Sequence, residues 1–185
     1  MKKFKLVVKT AHKNYPIIIG ENILKKAGKI IQSLLPRCKK IALVVDTNVP
    51  KKKLDEIKNS LKSYNCSIIK LNTSEKIKNL RTVNNLINIL LKKNFHRDDC
   101  LVAFGGGVLG DITSLTANLI KRGIKFINVP STLLSQVDSS IGGKTGINSK
   151  YGKNMIGTFY QPELVISDTS SLKSLQKREI LCGYA

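Results

Sequence analysis

The chain has 185 residues, 42% of them hydrophobic and 5% aromatic, with no Trp and a formal net charge of +20 at pH 7. That length suffices for one domain burying roughly 70% of its unfolded surface. No apolar run reaches the length of a signal-peptide core or a membrane span, so no membrane partner is expected. Cys38, Cys66, Cys100 and Cys182 are widely separated and form no C-x-x-C, which reads as reduced thiols in a cytoplasmic protein rather than a disulfide framework or a zinc site. The charge is carried mostly by Lys, spread over what read as solvent faces of helices, as in VPKKKLDEIKNSLKSY. A nucleic-acid surface would show Arg, a basic stripe and interleaved aromatics, so no nucleic-acid partner is expected. Lys, Ile and Asn share AT-rich codons, which offers genome composition as an alternative source of the excess, and a positive field would still help draw in phosphorylated, carboxylated substrates.

In chain order, KFKLVVKT and YPIIIG read as two strands forming an antiparallel or edge addition. A helix is expected over about Asn22 to Leu35, the strand KIALVVD next, and a second helix from about Pro50 to Lys62. CSIIKLN is a strand. The helix expected over about Ile77 to Lys93 repeats Leu80, Val83, Leu86, Ile87, Leu90 and Leu91 at helical spacing, which gives one buried face. CLVAF, a helix over about Gly110 to Lys121, IKFINV and ELVIS complete the series. Continuous apolar strands alternating with helices predict an α/β, Rossmann-like fold: a mostly parallel sheet with helices on both faces. No repeat, low-complexity tract or linker interrupts it, so residues 1–185 read as one domain.

Gly105, Gly107 and Gly110 satisfy G-x-G-x-x-G between the strand CLVAF and a helix. A tight strand-to-helix turn uses the same glycines. Residues without Cβ also let backbone approach a pyrophosphate, and the following helix offers unpaired N–H groups and a positive dipole end. The strand-to-helix context reads the feature as a dinucleotide phosphate cradle. No acidic ribose partner follows about 20 residues later, because the next strand ends at Val129-Pro130. Asp46, ending an earlier strand, is the substitute, with a plain turn or N-cap role as its alternative. GGKT at Lys144 is not the end of a Walker A motif, because Asp138 stands where that motif needs Gly.

The run VPSTLLSQVDSSIGGKTGINSKYGKNMIGTFYQP, with GGGVLGD and LIKRG, closely resembles 3-dehydroquinate synthase, the NAD- and metal-dependent enzyme of the shikimate pathway. The resemblance is dense from about Asp99 to Tyr184 and looser upstream, through VVDTNV and TSEKIK. It implies conversion of a phosphorylated sugar acid, 3-deoxy-D-arabino-heptulosonate 7-phosphate, to 3-dehydroquinate plus phosphate. Related sugar-phosphate cyclases, glycerol-type dehydrogenases or a non-catalytic NAD-binding module are the alternatives. For NAD it implies Asp46 and Asn48; Thr73, Ser74, Glu75, Lys76 and Lys78; Gly106, Gly107, Val108, Leu109, Gly110 and Asp111; Ser131 and Thr132; and Ser171, Leu172, Lys173 and Ser174. Ser74 replaces a family Gly and Ser131 a family Thr; the first raises a question of backbone angle.

Lys144 and Lys153 are expected to contact NAD or substrate from Gly-rich loops. Asn154 is expected to face the substrate, and Asp138, buried beside lysines, to stay ionised at the nicotinamide end. Arg122 resembles the residue that holds the substrate phosphate from the partner subunit of a homodimer, although an Arg before Gly123 also fits a helix C-cap. The resemblance places the ligands of a divalent metal (zinc or cobalt) in a Glu following REILCGYA and two His of a helical second domain. Neither His12 nor His96 matches them, so no metal ligand is expected in this chain and no turnover by it alone.

Overall fold

The computed structural model describes residues 3–184 other than His12. The first half runs β1 (Lys3–Val8), β2 (Tyr15–Gly20), α1 (Ala27–Leu34), β3 (Lys40–Asp46), α2 (Lys51–Ser60), β4 (Asn65–Leu71) and α3 (Leu80–Lys92). The second half runs β5 (Cys100–Gly105), α4 (Gly107–Leu119), β6 (Lys125–Pro130), β7 (Lys144–Ser149), β8 (Gly152–Phe159), β9 (Leu164–Asp168) and α5 (Lys177–Cys182).

Seven strands make one sheet in the order β1-β2-β9-β6-β5-β3-β4. Only β1 against β2 is antiparallel in it, which matches the expected edge addition. The period-two alternation of a strand sorts the core into two layers. Ile41, Leu43 and Val45 of β3 and Val102 and Phe104 of β5 face α1 and α2 through Ala27, Ile31, Ile57 and Leu61. Ala42 and Val44, with Leu101 and Ala103, face α3 and α4 through Val83, Leu86, Leu90, Ile112 and Leu115. Helices therefore cover both faces, which is why β3, β5 and β6 read as unbroken apolar runs.

The helix boundaries move for local reasons. The first predicted helix splits into a 3-10 turn, Ile23–Lys26, and α1. α3 starts at Leu80 rather than Ile77, because the Asn79 side chain accepts a hydrogen bond from Thr82 N at 3.0 Å and caps it. Val83, Leu86 and Leu90 form its buried face, while Leu80 and Leu91 are exposed. α4 starts three residues earlier than expected, inside the triple glycine. The Gly-rich loops expected around Lys144 and Lys153 are instead the antiparallel hairpin β7–β8, held by Gly146 opposite Gly157. A Cβ at Gly157 would lie 1.9 Å from Thr145 O, so glycine there reflects close strand approach rather than loop freedom.

Candidate functional site

The chain order reverses direction across the sheet between β3 and β5: β3 is followed outward by β4, whereas β5 is followed by β6 and β9 on the other side. A crevice opens at such a switch point, outside the carboxyl ends of the strands. Asp46 ends β3 and Gly105 ends β5, and a Cβ on Gly105 would sit 3.1 Å from Asp46 Cβ and 2.7 Å from Leu109 Cδ2. Glycine is required there because the two strand ends meet with no room for a side chain. Above them lies a cleft of about 660 Å³, within the size range of small-ligand sites.

One wall is the Asp46–Asn48 loop with Thr73 and Ser74. Asp46 Oδ1 accepts from Asn48 N at 2.9 Å and Asn48 Nδ2 at 3.0 Å, and its Oδ2 accepts from Thr73 Oγ1. The turn role and the cleft role of Asp46 thus coexist: the carboxylate orders both loops and keeps one lone-pair position on Oδ2 for a ligand. Ser74 has φ −154°, extended backbone open to any residue, so its replacement of a Gly carries no strain. The floor is Gly106, Gly107 and Val108, where α4 begins with no side-chain cap. Its first N–H groups and dipole face the cleft, an arrangement that suits a phosphate. Ser131 and Thr132 border the floor, with Ser131 N donating to Gly105 O at 2.9 Å. The far wall is the 3-10 turn Thr169–Ser174, which contributes Ser171 and Ser174. The Ser171 residue is 5% exposed and its Oγ has no partner. A buried hydroxyl without a partner is costly.

A second group lies beside the cleft rather than in it. Lys78 Nζ lies 2.5 Å from Asp111 Oδ2 and donates to Asn154 Oδ1 at 2.6 Å. Asn148 N donates to Lys78 O at 2.7 Å and Asn148 Nδ2 to Glu75 Oε1 at 2.7 Å. The β7–β8 hairpin is thereby fastened to the Glu75–Lys78 segment. Asn154 holds left-handed backbone, φ 56°, at an irregular position of that hairpin, a conformation Asn tolerates better than most residues. Burial pushes the Asp111 carboxyl above its ordinary value; Lys78 pulls it down, and Glu75 and Asp138 add to the rise. Lys78 offsets part of the rise without reversing it, because desolvation is the larger effect.

Other expected residues fall elsewhere. Leu109 is fully buried in the core, and Gly110 packs against Asn128, so both support the cradle from beneath. Lys76 is exposed and outside the cleft, and Leu172 lies half-buried behind the turn. Lys173 points away and pairs with Glu21 at 2.5 Å. Asp138 is exposed rather than buried, because Ser135–Ser139 forms a π-helical turn that projects it outward; π turns recur at functional sites. Lys144 opens β7 and Lys153 lies on β8, both exposed. Arg122 is exposed at the far end of α4, with φ 61° beside Lys121 at φ 52°. The helix from Gly107 to Leu119 has 13 residues, about 20 Å of rise, so Arg122 cannot serve the cleft of its own chain.

Pattern reasoning missed Lys53, Leu134, Gln176 and Glu179, which also line the cleft. Lys53 stood among three consecutive lysines, and α5 follows the last strand with no fingerprint. Among the described residues no three His, Cys, Asp or Glu side chains come together as a metal site, and no helix is long and apolar enough to cross a membrane. The residues present therefore do not fit the metal that the resemblance implies. His12 lies outside the described residues.

The family model for the 3-dehydroquinate synthase N-terminal region matches residues 68–182. A 3-dehydroquinate synthase of Pelagibacter ubique is 55% identical over 97% of this chain and 49% of its own length. That of Rhizobium meliloti is 42% identical over 98% of the chain and 48% of its own length. The chain thus spans about half the length of the curated relatives it matches. Among solved structures, 2-deoxy-scyllo-inosose synthase complexed with carbaglucose-6-phosphate, NAD+ and Co2+ superposes with a TM-score of 0.91 at 27% identity, covering 98% of this chain and 49% of the other. The 2-epi-5-epi-valiolone synthase of Streptomyces hygroscopicus, with NAD+ and Zn2+ bound, gives a TM-score of 0.83 at 25% identity, covering 97% and 49%.

Proposed function

Because the chain belongs to the 3-dehydroquinate synthase family, we propose that residues 1–185 form the NAD-binding domain of an enzyme that converts 3-deoxy-D-arabino-heptulosonate 7-phosphate to 3-dehydroquinate and phosphate. The observation that carries the reading is the meeting of Asp46 with Gly105–Gly107 at the switch point, beneath a cleft large enough for a nucleotide. The solved relatives hold NAD+ with Co2+ or Zn2+.

In this reading the α4 N-terminus holds the pyrophosphate, and Gly106 and Gly107 let it approach the backbone. Asp46 and Asn48 take the adenosine ribose, with Asp46 accepting from a ribose hydroxyl through its free Oδ2 position. A bound NAD would supply reversible hydride exchange with a carbon bearing a ring hydroxyl, chemistry that would acidify the neighbouring proton and so favour loss of phosphate. Asn154 and Asp111, fastened through Lys78, fix the hairpin that carries Lys153 beside the reacting end. Lys144 and Lys153 then meet the anionic substrate as mobile point charges. Asp138, exposed on its π-helical turn, is free to meet a substrate hydroxyl or the cofactor amide. Glu75, Lys76, Leu172 and Lys173 act through the backbone they carry. Arg122 belongs to the phosphate of a partner copy's substrate, which makes the working form a homodimer.

The test is calorimetric titration of the purified chain with NAD, followed by an assay for dehydroquinate. Binding without turnover is the expected result, because the described residues assemble no metal site. Absence of NAD binding refutes the assignment of the cleft, and dehydroquinate formation refutes the assignment of the chain as the cofactor domain alone.

A further inference from the structure

Lys53 is a lysine where burial is costly: its side chain is 11% exposed, yet it sits in the first turns of α2 at the edge of the cleft. Its ammonium donates to Ser170 Oγ at 2.6 Å and to Glu56 Oε2 at 3.0 Å, with Asp168 Oδ2 at 4.0 Å. Lys25 approaches Glu56 from the other side at 4.0 Å. Asp168, whose side chain is 1% exposed, ends β9. Its Oδ1 accepts from Ser170 N, Ser170 Oγ and Asn22 N, and its Oδ2 from Leu24 N at 3.2 Å. A carboxylate with that many donors is held rigidly, so Lys53 is joined through Ser170 to a fixed point on the sheet.

The geometry of this link matters more than its charge. α2 follows the Asp46–Asn48 wall, and Ser170 lies in the turn that forms the opposite wall. With Pro50 and Ser174, Lys53 also lines a smaller cavity of about 320 Å³ behind that turn, so it is part of the partition between the two spaces. The residue after Ser170 is Ser171, which belongs to the cleft lining. Ser171 and the buried Lys53 cation are adjacent parts of one wall.

We propose that Lys53 is a positioning residue for the cofactor: bonded to Ser170, it pins the Thr169–Ser174 turn to α2 and so fixes the width of the cleft that receives the dinucleotide. This rests on the cleft being the NAD seat. Lys53 itself touches no reacting atom. An apolar side chain at position 53 unties the turn from α2 and leaves it held by Asp168, whereas Arg keeps a charged donor in reach of Ser170.

The experiment compares Lys53→Met, Lys53→Arg and Ser170→Ala with the unaltered chain, by NAD titration and by hydrogen exchange of the amides of residues 169–174. The expected result is an NAD affinity lowered about tenfold by Lys53→Met and by Ser170→Ala, and restored to within about threefold by Lys53→Arg. Exchange in the turn should quicken at least about tenfold in the first two variants while β5 and β6 stay protected. Ser170→Ala retains the Lys53–Glu56 pair and decides the matter if Lys53→Met does not fold. Turn exchange unchanged in Ser170→Ala overturns the pin, whether or not NAD binds. NAD affinity unchanged beside loosened exchange overturns its role toward the cofactor. An unaltered chain that binds no NAD refutes the cleft assignment instead, and the pin is then judged by exchange alone.

Discussion

Replacing Lys78 by Met should destabilise the chain by an amount that depends on pH. The Lys78 and Asp111 side chains are 7% and 19% exposed. Removing one member of a buried pair strands the other, at a cost of about 3–5 kcal/mol. Asp111 keeps some contact with solvent, which places the expected loss near the lower figure, about 3 kcal/mol at about pH 8. For a chain of this size that lowers Tm by about 6–12 °C. The Asp111 carboxyl already titrates above its ordinary value, chiefly because it is buried. The folded chain therefore binds that proton more tightly than the unfolded chain does. Ionisation of Asp111 is a cost to the fold that is absent below the unfolded carboxylate range and complete above the folded value. Lys78 offsets part of this cost, and without it the carboxyl rises further. The variant should thus recover towards the unaltered chain as pH falls into the carboxylate range, where Asp111 takes up a proton. Urea unfolding at about pH 8 and about pH 5 measures both values, and Lys78→Met/Asp111→Asn should remove most of the difference. A loss equal at both pH values, or a double variant as weak as the single one, would refute the reasoning.

Three further outcomes are expected. Gly28→Ala puts a Cβ 1.8 Å from Ser60 O where α1 crosses α2; the forced separation should cost about 1–3 kcal/mol in urea unfolding and leave NAD binding intact. Gly106→Asp has space, since Thr132 Cγ2 lies 3.4 Å from the new Cβ. Its carboxylate would occupy the phosphate seat, so calorimetry should show NAD affinity down at least about tenfold with little change in Tm. In the native chain, iodoacetamide should label exposed Cys182 first. Burial, aided by Asp99 and Asp98, pushes the Cys38 thiol to about 11, and burial raises Cys100 well above its ordinary value, so mass spectrometry should find both unmodified until urea unfolds the chain.

The sheet was legible where burial on both faces left its mark: Ile41 to Val45 and Cys100 to Phe104 alternate between two cores, and either face demands an apolar residue. The β7–β8 hairpin was not, because Met155, Ile156 and Phe159 are exposed and its glycines serve strand contact. Their density resembles that of a loop. The cradle could be read from Gly105 to Gly110 because close backbone approach excludes side chains, a constraint written in residue type. The start of α4 was misplaced since glycine has poor helix propensity, which packing against β5 overrides. Lys53 and Ser171 act through who their neighbours are, and the strand pairings that create those neighbours lie far apart in the chain.

The seating of β2 against β9 has a consequence for synthesis. Asn22 and Asp168, whose contact closes that seam, are 146 residues apart in sequence. As the chain leaves the ribosome, β1 and β2 are complete long before β9 exists, and a two-stranded ribbon alone is marginally stable. It carries Phe4, Leu6 and Val7, more than half exposed even in the finished fold. Lys3 and Lys5 on the same strand are the charges that discourage edge-to-edge pairing during that wait. Nascent chains arrested before Leu164 should therefore engage chaperones through their first strands, and release should coincide with the emergence of Asp168.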